Sequence, residues 1–136
     1  MTGRTGAGVF FDTDVALYLL SGDVDKASRA EDLLAGGGTI SVQVLNEFTA
    51  VARRKHTTPW ADVRLMLDAL KRVCRVEPLT LQVHQRALDL AERFGMPIYH
   101  AGIAASALTA GCEVLYSEDF QHGQVIEGMT VRNPFA

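Results

Sequence analysis

Two apolar runs in this chain end on carboxylates, and those acids are its best-placed candidates for chemistry. Val9-Phe10-Phe11 leads to Asp12, and Val114-Leu115-Tyr116-Ser117 leads to Glu118-Asp119. In an open α/β sheet, ligands bind outside the carboxyl ends of the strands. Two such strands side by side would bring acids from opposite ends of the sequence into one crevice. Converging carboxylate oxygens suit a hard divalent cation such as Mg2+ or Mn2+, which makes Asp12 and Asp119 candidate ligands. Asp14 falls in the first turn of the next helix, where the dipole favours an acid without any ligand; capping or support of a neighbour is its expected duty. Glu118 points away from Asp119 if the backbone there is extended, and Asp119 is the one expected to face the crevice.

Further candidates lie between these ends. Glu47 borders the apolar arc of a helix centred on Phe48, beside Val51, at the usual turn of about 100° per residue. A carboxylate at such a margin can look into a cleft or into solvent. His100 stands in the first turn of an alanine-rich helix, on the side of Ala104 and Ala107. The dipole there disfavours the imidazolium, so a neutral ring can offer nitrogen to a metal; packing is the alternative. His122 reads as a surface residue. Arg53-Arg54-Lys55-His56 is the one dense basic run. Cations at a helix C-terminus are stabilising unaided, and the sharper alternative is a phosphate-contacting edge. Trp60 has no aromatic partner nearby in sequence and reads as packing.

The elements that would position these residues alternate along the chain. Met1–Gly8 is a loose lead-in, followed by a strand at 9–12 and a short helix near 14–20 broken by Ser21-Gly22-Asp23. A helix over 24–35 stops at Gly36-Gly37-Gly38, and 39–42 is a β-rich run before the helix that carries Glu47. Thr58 is the expected N-cap of the next helix, with Pro59 in first position. Its apolar face is Val63, Leu67, Leu70 and Val73 or Cys74. A strand at 75–79, a helix over 81–94 ended by Gly95, a helix from Pro97 to Ala110, a strand at 114–117 and a last strand at 129–132 complete the order. Strands separated by helices imply a central, mainly parallel sheet with helices on both faces. The predicted class is α/β.

With 136 residues, the chain is expected to form one domain over 1–136. The 48% apolar and 21% charged fractions are those of an ordinary globular domain. A net charge of −3 argues against coating nucleic acid through bulk electrostatics. It leaves a nuclease open, because a bound cation reverses the local field of an acidic cleft. Cys74 and Cys112 are far apart, lack metal-ligand spacing, and read as buried apolar thiols. No signal peptide and no run of about 18 apolar residues is seen, so the expected location is cytoplasmic, with no membrane partner.

At this point the motifs resemble a known family. Phe10-Phe11-Asp12-Thr13-Asp14-Val15 followed by Leu17-Tyr18-Leu19-Leu20 resembles the start of a PIN domain, and Ile40-Ser41-Val42-Gln43-Val44-Leu45-Asn46-Glu47-Phe48 its second motif. Ile98-Tyr99-His100-Ala101-Gly102-Ile103-Ala104 and Leu115-Tyr116-Ser117-Glu118-Asp119-Phe120 resemble the remaining two. The likeness is strongest to VapC-type toxins of bacterial toxin–antitoxin pairs. It implies an endoribonuclease dependent on Mg2+ or Mn2+, an RNA substrate, a VapB-type antitoxin partner and a homodimer. By motif position, Asp12, Glu47 and Asp119 would be catalytic, and Asp12, Asp119, Glu47 and His100 would surround the metal. His100 departs from the pattern, which usually has aspartate there; Asp14 stands where asparagine or serine is common. Loss of one carboxylate predicts weakened or metal-shifted activity, with Mn2+ tolerating nitrogen better than Mg2+, while Asp14 would restore part of the charge.

Two rivals follow from the same residues. A phosphatase with Asp12 as covalent nucleophile would want a lysine near the phosphate, and Lys26, Lys55 and Lys71 are all placed away from strand ends in sequence. The other is a catalytically impaired binding module of the same fold, acting through its antitoxin partner.

Overall fold

The computed structural model describes residues 8–136; the lead-in over 1–7 lies outside the described residues. Strand β1 (Val9–Phe11) is followed by the short helix α1 (Thr13–Leu17) and a 3₁₀ turn over Tyr18–Leu20. Next come α2 (Val24–Ala35), β2 (Gly38–Ser41), α3 (Val42–Lys55), α4 (Trp60–Val73) and β3 (Cys74–Glu77). The chain continues through α5 (Leu81–Phe94), α6 (Ile98–Thr109), β4 (Val114–Tyr116), β5 (Val125–Ile126) and β6 (Met129–Arg132). The strands form one sheet in the order β3-β2-β1-β4-β6-β5, parallel throughout except for the β5–β6 pair. Phe10 and Phe11 are both buried although adjacent strand residues point to opposite faces. All of β2 is buried too. Both faces of the central strands are therefore covered, as a parallel sheet requires.

Local chemistry explains most boundaries. Asp23, Ser41 and Thr80 each accept a hydrogen bond from the backbone N–H three residues on, closing the starts of α2, α3 and α5. Gly95, at φ 66°, ends α5 in a left-handed turn that a Cβ would disfavour. The sequence expectation fails at the start of α4. Pro59, with ψ 146°, is the cap itself, and the helix begins at Trp60. The preceding turn explains the shift: Thr57 is at φ 48°, and the Thr58 N–H is already committed to the Ala52 carbonyl. Pro97 likewise caps α6 rather than opening it. The helix near 14–20 relaxes into a 3₁₀ turn after Leu17, the run at 39–42 gives up Val42 to α3, and β3 stops before Pro78. The β5 strand has no counterpart among the expected elements, because two residues carry no readable period.

Two close approaches fix how the layers meet. A Cβ on Gly38 would lie 2.6 Å from Phe11 Cε2 and 3.0 Å from the Val9 carbonyl oxygen. Gly38→Ala should therefore cost about 1–3 kcal/mol through overpacking, read as a lower urea midpoint at unchanged slope. On α6, Gly102 leaves room for the Gln43 side chain of α3, whose Nε2 donates to the Tyr99 carbonyl at 3.0 Å. That contact ties the helix carrying His100 to the helix carrying Glu47.

Candidate active site

Strands β1 and β4 are parallel neighbours with Phe11 opposite Tyr116, so their next residues leave the sheet together. The Asp12 N–H donates to the Tyr116 carbonyl at 3.0 Å, and the buried Ser117 follows Tyr116. Ser117 is the hub of the site. Its Oγ donates to Asp12 Oδ2 at 2.7 Å, accepts from the Asp119 N–H at 3.0 Å, and lies 3.4 Å from Asp14 Oδ2. Asp12 Oδ1 accepts from the Thr13 N–H at 2.6 Å, and Asp14 Oδ2 accepts from the Glu118 N–H at 2.7 Å. One oxygen from each of Asp12, Asp14 and Asp119 lies within 4.8 Å of the others.

The remaining candidates surround this cluster. Asp12, Asp14, Glu47, His100 and Asp119 all line one cleft of about 210 Å³. Glu47 is outside the group of three, and its Oε1 accepts from the Thr13 hydroxyl at 2.7 Å. His100 Nε2 is 3.8 Å from Asp119 Oδ2, its ring 5.6 Å from that of Phe120. Glu118 faces away, toward Lys26 at 3.8 Å, so Lys26 approaches the β4 end in space although not in sequence. His122 is exposed, with Nδ1 accepting from the Asn133 N–H. Cys74 and Cys112 are buried free thiols. Trp60 is 55% exposed and touches the Arg53 guanidinium 4.6 Å above its ring, not the core.

The structure gives Asp14 a larger place than capping. Its carboxylate turns into the cluster, and Oδ1 is buried without a hydrogen-bond donor among the described residues. An acceptor in that state is costly, and two further carboxylates beside it add repulsion. A divalent cation would satisfy all three at once, so the donor set fits the Mg2+ or Mn2+ anticipated from the motifs. Thr13 and Ser117 have no distinguishing sequence signal beyond a hydroxyl residue at each strand end.

Electrostatics carry the same message. Burial raises Asp12 to about 6 against the hydrogen bonds from Ser117 and Thr13, with Asp119 and Glu47 pushing further up. Burial and the neighbouring Asp12 charge raise Asp14 to about 8. Between the ordinary value of 3.8 and these raised values, Asp12 and Asp14 hold more protons in the folded chain than in the unfolded one. Metal-free stability must then fall as pH rises from about 4 to about 8. Thermal melts in EDTA should show a midpoint at least ~5 °C lower at pH 8 than at pH 5, and millimolar Mn2+ should close that gap.

A family profile for the PIN domain matches residues 9–126. No curated protein matches the sequence significantly. Among solved structures, the fold is similar to a toxin–antitoxin complex from Klebsiella pneumoniae, at 21% identity, TM-score 0.70, covering 93% of this chain and 97% of that one. It is also similar to VapC20 of Mycobacterium tuberculosis, described as a sarcin-ricin loop cleaving toxin, at 20% identity, TM-score 0.65, covering 80% and 88%. VapBC2 of Rickettsia felis, bound to a DNA fragment from its promoter, matches at 18% identity, TM-score 0.66, covering 92% and 97%.

Proposed function

This chain belongs to the PIN domain family, and on that premise we propose that it is a Mg2+- or Mn2+-dependent endoribonuclease, the toxin of a VapBC-type toxin–antitoxin pair. The observation that carries this reading is the convergence of Asp12, Asp14 and Asp119 at the C-terminal edge of β1 and β4. PIN domains are generally metal-dependent nucleases, and the similar structures are toxins or their complexes. The phosphatase rival is disfavoured because both oxygens of Asp12 already accept hydrogen bonds, which blunts a nucleophile. The impaired-module rival is disfavoured because Asp14 brings back the carboxylate that His100 lacks.

In the mechanism, Asp12, Asp14 and Asp119 would hold the cation. A carboxylate-bound Mg2+ or Mn2+ supplies an activated water and neutralises charge developing on the phosphodiester. Ser117 fixes the Asp12 carboxylate and the Asp119 backbone with one hydroxyl, so the Asp12 carboxylate need not reorganise. Thr13 anchors one Glu47 oxygen at the cleft wall and leaves the other to orient a water. His100 borders Asp119 and can add nitrogen to the metal surroundings. His100→Asp should raise the ratio of Mg2+- to Mn2+-supported cleavage several-fold, measured as initial rates on one oligonucleotide.

Two surfaces support the partner reading. An apolar cleft of about 220 Å³ between the 3₁₀ turn, α2 and α4 includes Leu19, Leu34, Met66 and Leu70, and an antitoxin segment would cover it. Exposed Leu79, Leu81 and Tyr99 beside α5 and α6 suit a homodimer contact. Among the described residues no helix is long and apolar enough to cross a membrane. The functional test is cleavage of total cellular RNA by the purified protein in Mn2+, Mg2+ and EDTA: fragments in the metals and none in EDTA are expected. Intact RNA in all three would refute the nuclease.

A further inference from the structure

Beside the carboxylate cluster lies a second cavity of about 290 Å³, lined by Asp14, Leu17, Tyr18, Ser21, Gly22 and His56. It shares Asp14 and Leu17 with the cleft, so a group filling it lies next to the carboxylate cluster. Its walls are wrong for a phosphate. No lysine or arginine lines it, and Asp14 would repel an anion. They suit a neutral planar ring with donors and acceptors on its edge: the Tyr18 ring is flat and Leu17 apolar, while His56 and the Ser21 hydroxyl offer polar partners.

Tyr18 is held in place for this. Its hydroxyl meets Lys26 Nζ at 3.2 Å, and its ring packs at 4.4 Å against Phe135. The Lys26 ammonium lies 5.0 Å from the Tyr18 ring centre and 5.6 Å from that of Phe135. A wall fixed in advance costs little ordering when a ligand arrives. Positive charge adjoins His56 in sequence. Helix α3 ends on Arg53-Arg54-Lys55 immediately before His56, and Arg54 and Lys55 form no ion pair among the described residues.

We propose that this cavity is a base-recognition pocket that takes the nucleobase adjoining the scissile phosphodiester, with Tyr18 and His56 setting base preference and Arg54 and Lys55 contacting the neighbouring phosphates. The proposal rests on the ribonuclease reading above and adds to it where in the fold sequence preference arises. It also explains why an acidic domain carries its one basic run at that helix end. The contacts sort into phosphate positioning by the cations and base readout by the pocket.

Two variants of the full chain test it. Gly22→Phe adds a bulky ring at a lining residue whose Cβ meets nothing within 4 Å, and His56→Ala removes an exposed wall residue. On random-sequence RNA with Mn2+, sequencing of the cut ends should show a base preference at one position flanking the wild-type cut. Both variants should flatten it there and lower kcat/KM on the preferred oligonucleotide about ten-fold or more, with Mn2+ affinity unchanged. In a second arm, thiouridine- or thioguanosine-substituted RNA decamers are photocrosslinked to the Asp12→Asn protein; adducts should map to Tyr18 or His56 and vanish when Gly22→Phe is added. Wild-type cleavage with an unaltered preference in both variants, or adducts only elsewhere, overturns the pocket. Pocket adducts without any wild-type cleavage overturn the ribonuclease reading and with it the role in cleavage preference, leaving the cavity as an RNA-binding site only. Absence of both overturns both. Loss of antitoxin binding in Gly22→Phe with RNA preference intact would assign the cavity to the protein partner and overturn the proposal.

Discussion

Asp12→Asn should lower RNA cleavage by at least ~100-fold in saturating Mn2+ while leaving the protein folded. That is more than the 10–100-fold typical of removing a residue that only supports a metal ligand, because the substitution deletes a ligand. The fold should tolerate it. The amide oxygen that replaces Asp12 Oδ1 can still accept from the Thr13 N–H. The Ser117 hydroxyl can rotate to accept from the amide nitrogen and donate toward Asp14 Oδ2, now 3.4 Å away. Metal-free melts of the variant at pH 8 should match or exceed those of the wild type, since a buried charge has been removed. The rate assay checks the first half, the melt the second. A variant that cleaves normally would show that the reaction happens elsewhere.

Asp14→Asn is the more discriminating substitution, because its two effects have opposite signs. Asp14 Oδ1 is a buried acceptor without a donor among the described residues, and burial holds the group near 8. An amide there keeps the acceptor for the Glu118 N–H and turns donors toward Asp12 and Asp119. In EDTA at pH 8 the variant should melt several degrees higher than the wild type. Its Mn2+ affinity, read by isothermal titration, should fall about ten-fold or more, with cleavage falling in step at subsaturating metal. If Asp14 only capped α1, the affinity would stay put and stability would drop.

Much of this arrangement is legible in the chain, for identifiable reasons. The β-rich runs at Val9–Phe11 and Val114–Tyr116 lead to acids, and the alternation with helical periods implies a parallel sheet; that β1 and β4 are neighbours, with Phe11 opposite Tyr116, is supplied by the fold and not by any local pattern. Asp12 and Asp119 meet because of it. Asp14 carries a weaker signal than its position warrants, because first-turn acids are common and its direction depends on a helix of five residues. Ser117 carries none, since a serine at a strand end has no period and no charge; only the fold makes it the shared partner of Asp12 and Asp119. Trp60 departs from its expected packing role because Pro59 and the Thr57 turn leave it outside, where an isolated indole usually packs inward. The same turn displaces the expected cap at Thr58. The edge strand β5, and the exposed Glu127 that joins Arg86 and Arg93 of α5, depend on contacts between segments that no local pattern announces.

Occupancy by a cation is the most direct test. Crystals grown in excess MnCl2 and measured for anomalous scattering should show an ion within about 2.0–2.6 Å of an oxygen from each of Asp12, Asp14 and Asp119. A chain whose three carboxylates stay together with no ion between them, or whose manganese binds only at other side chains, would contradict the metal centre and the ribonuclease built on it.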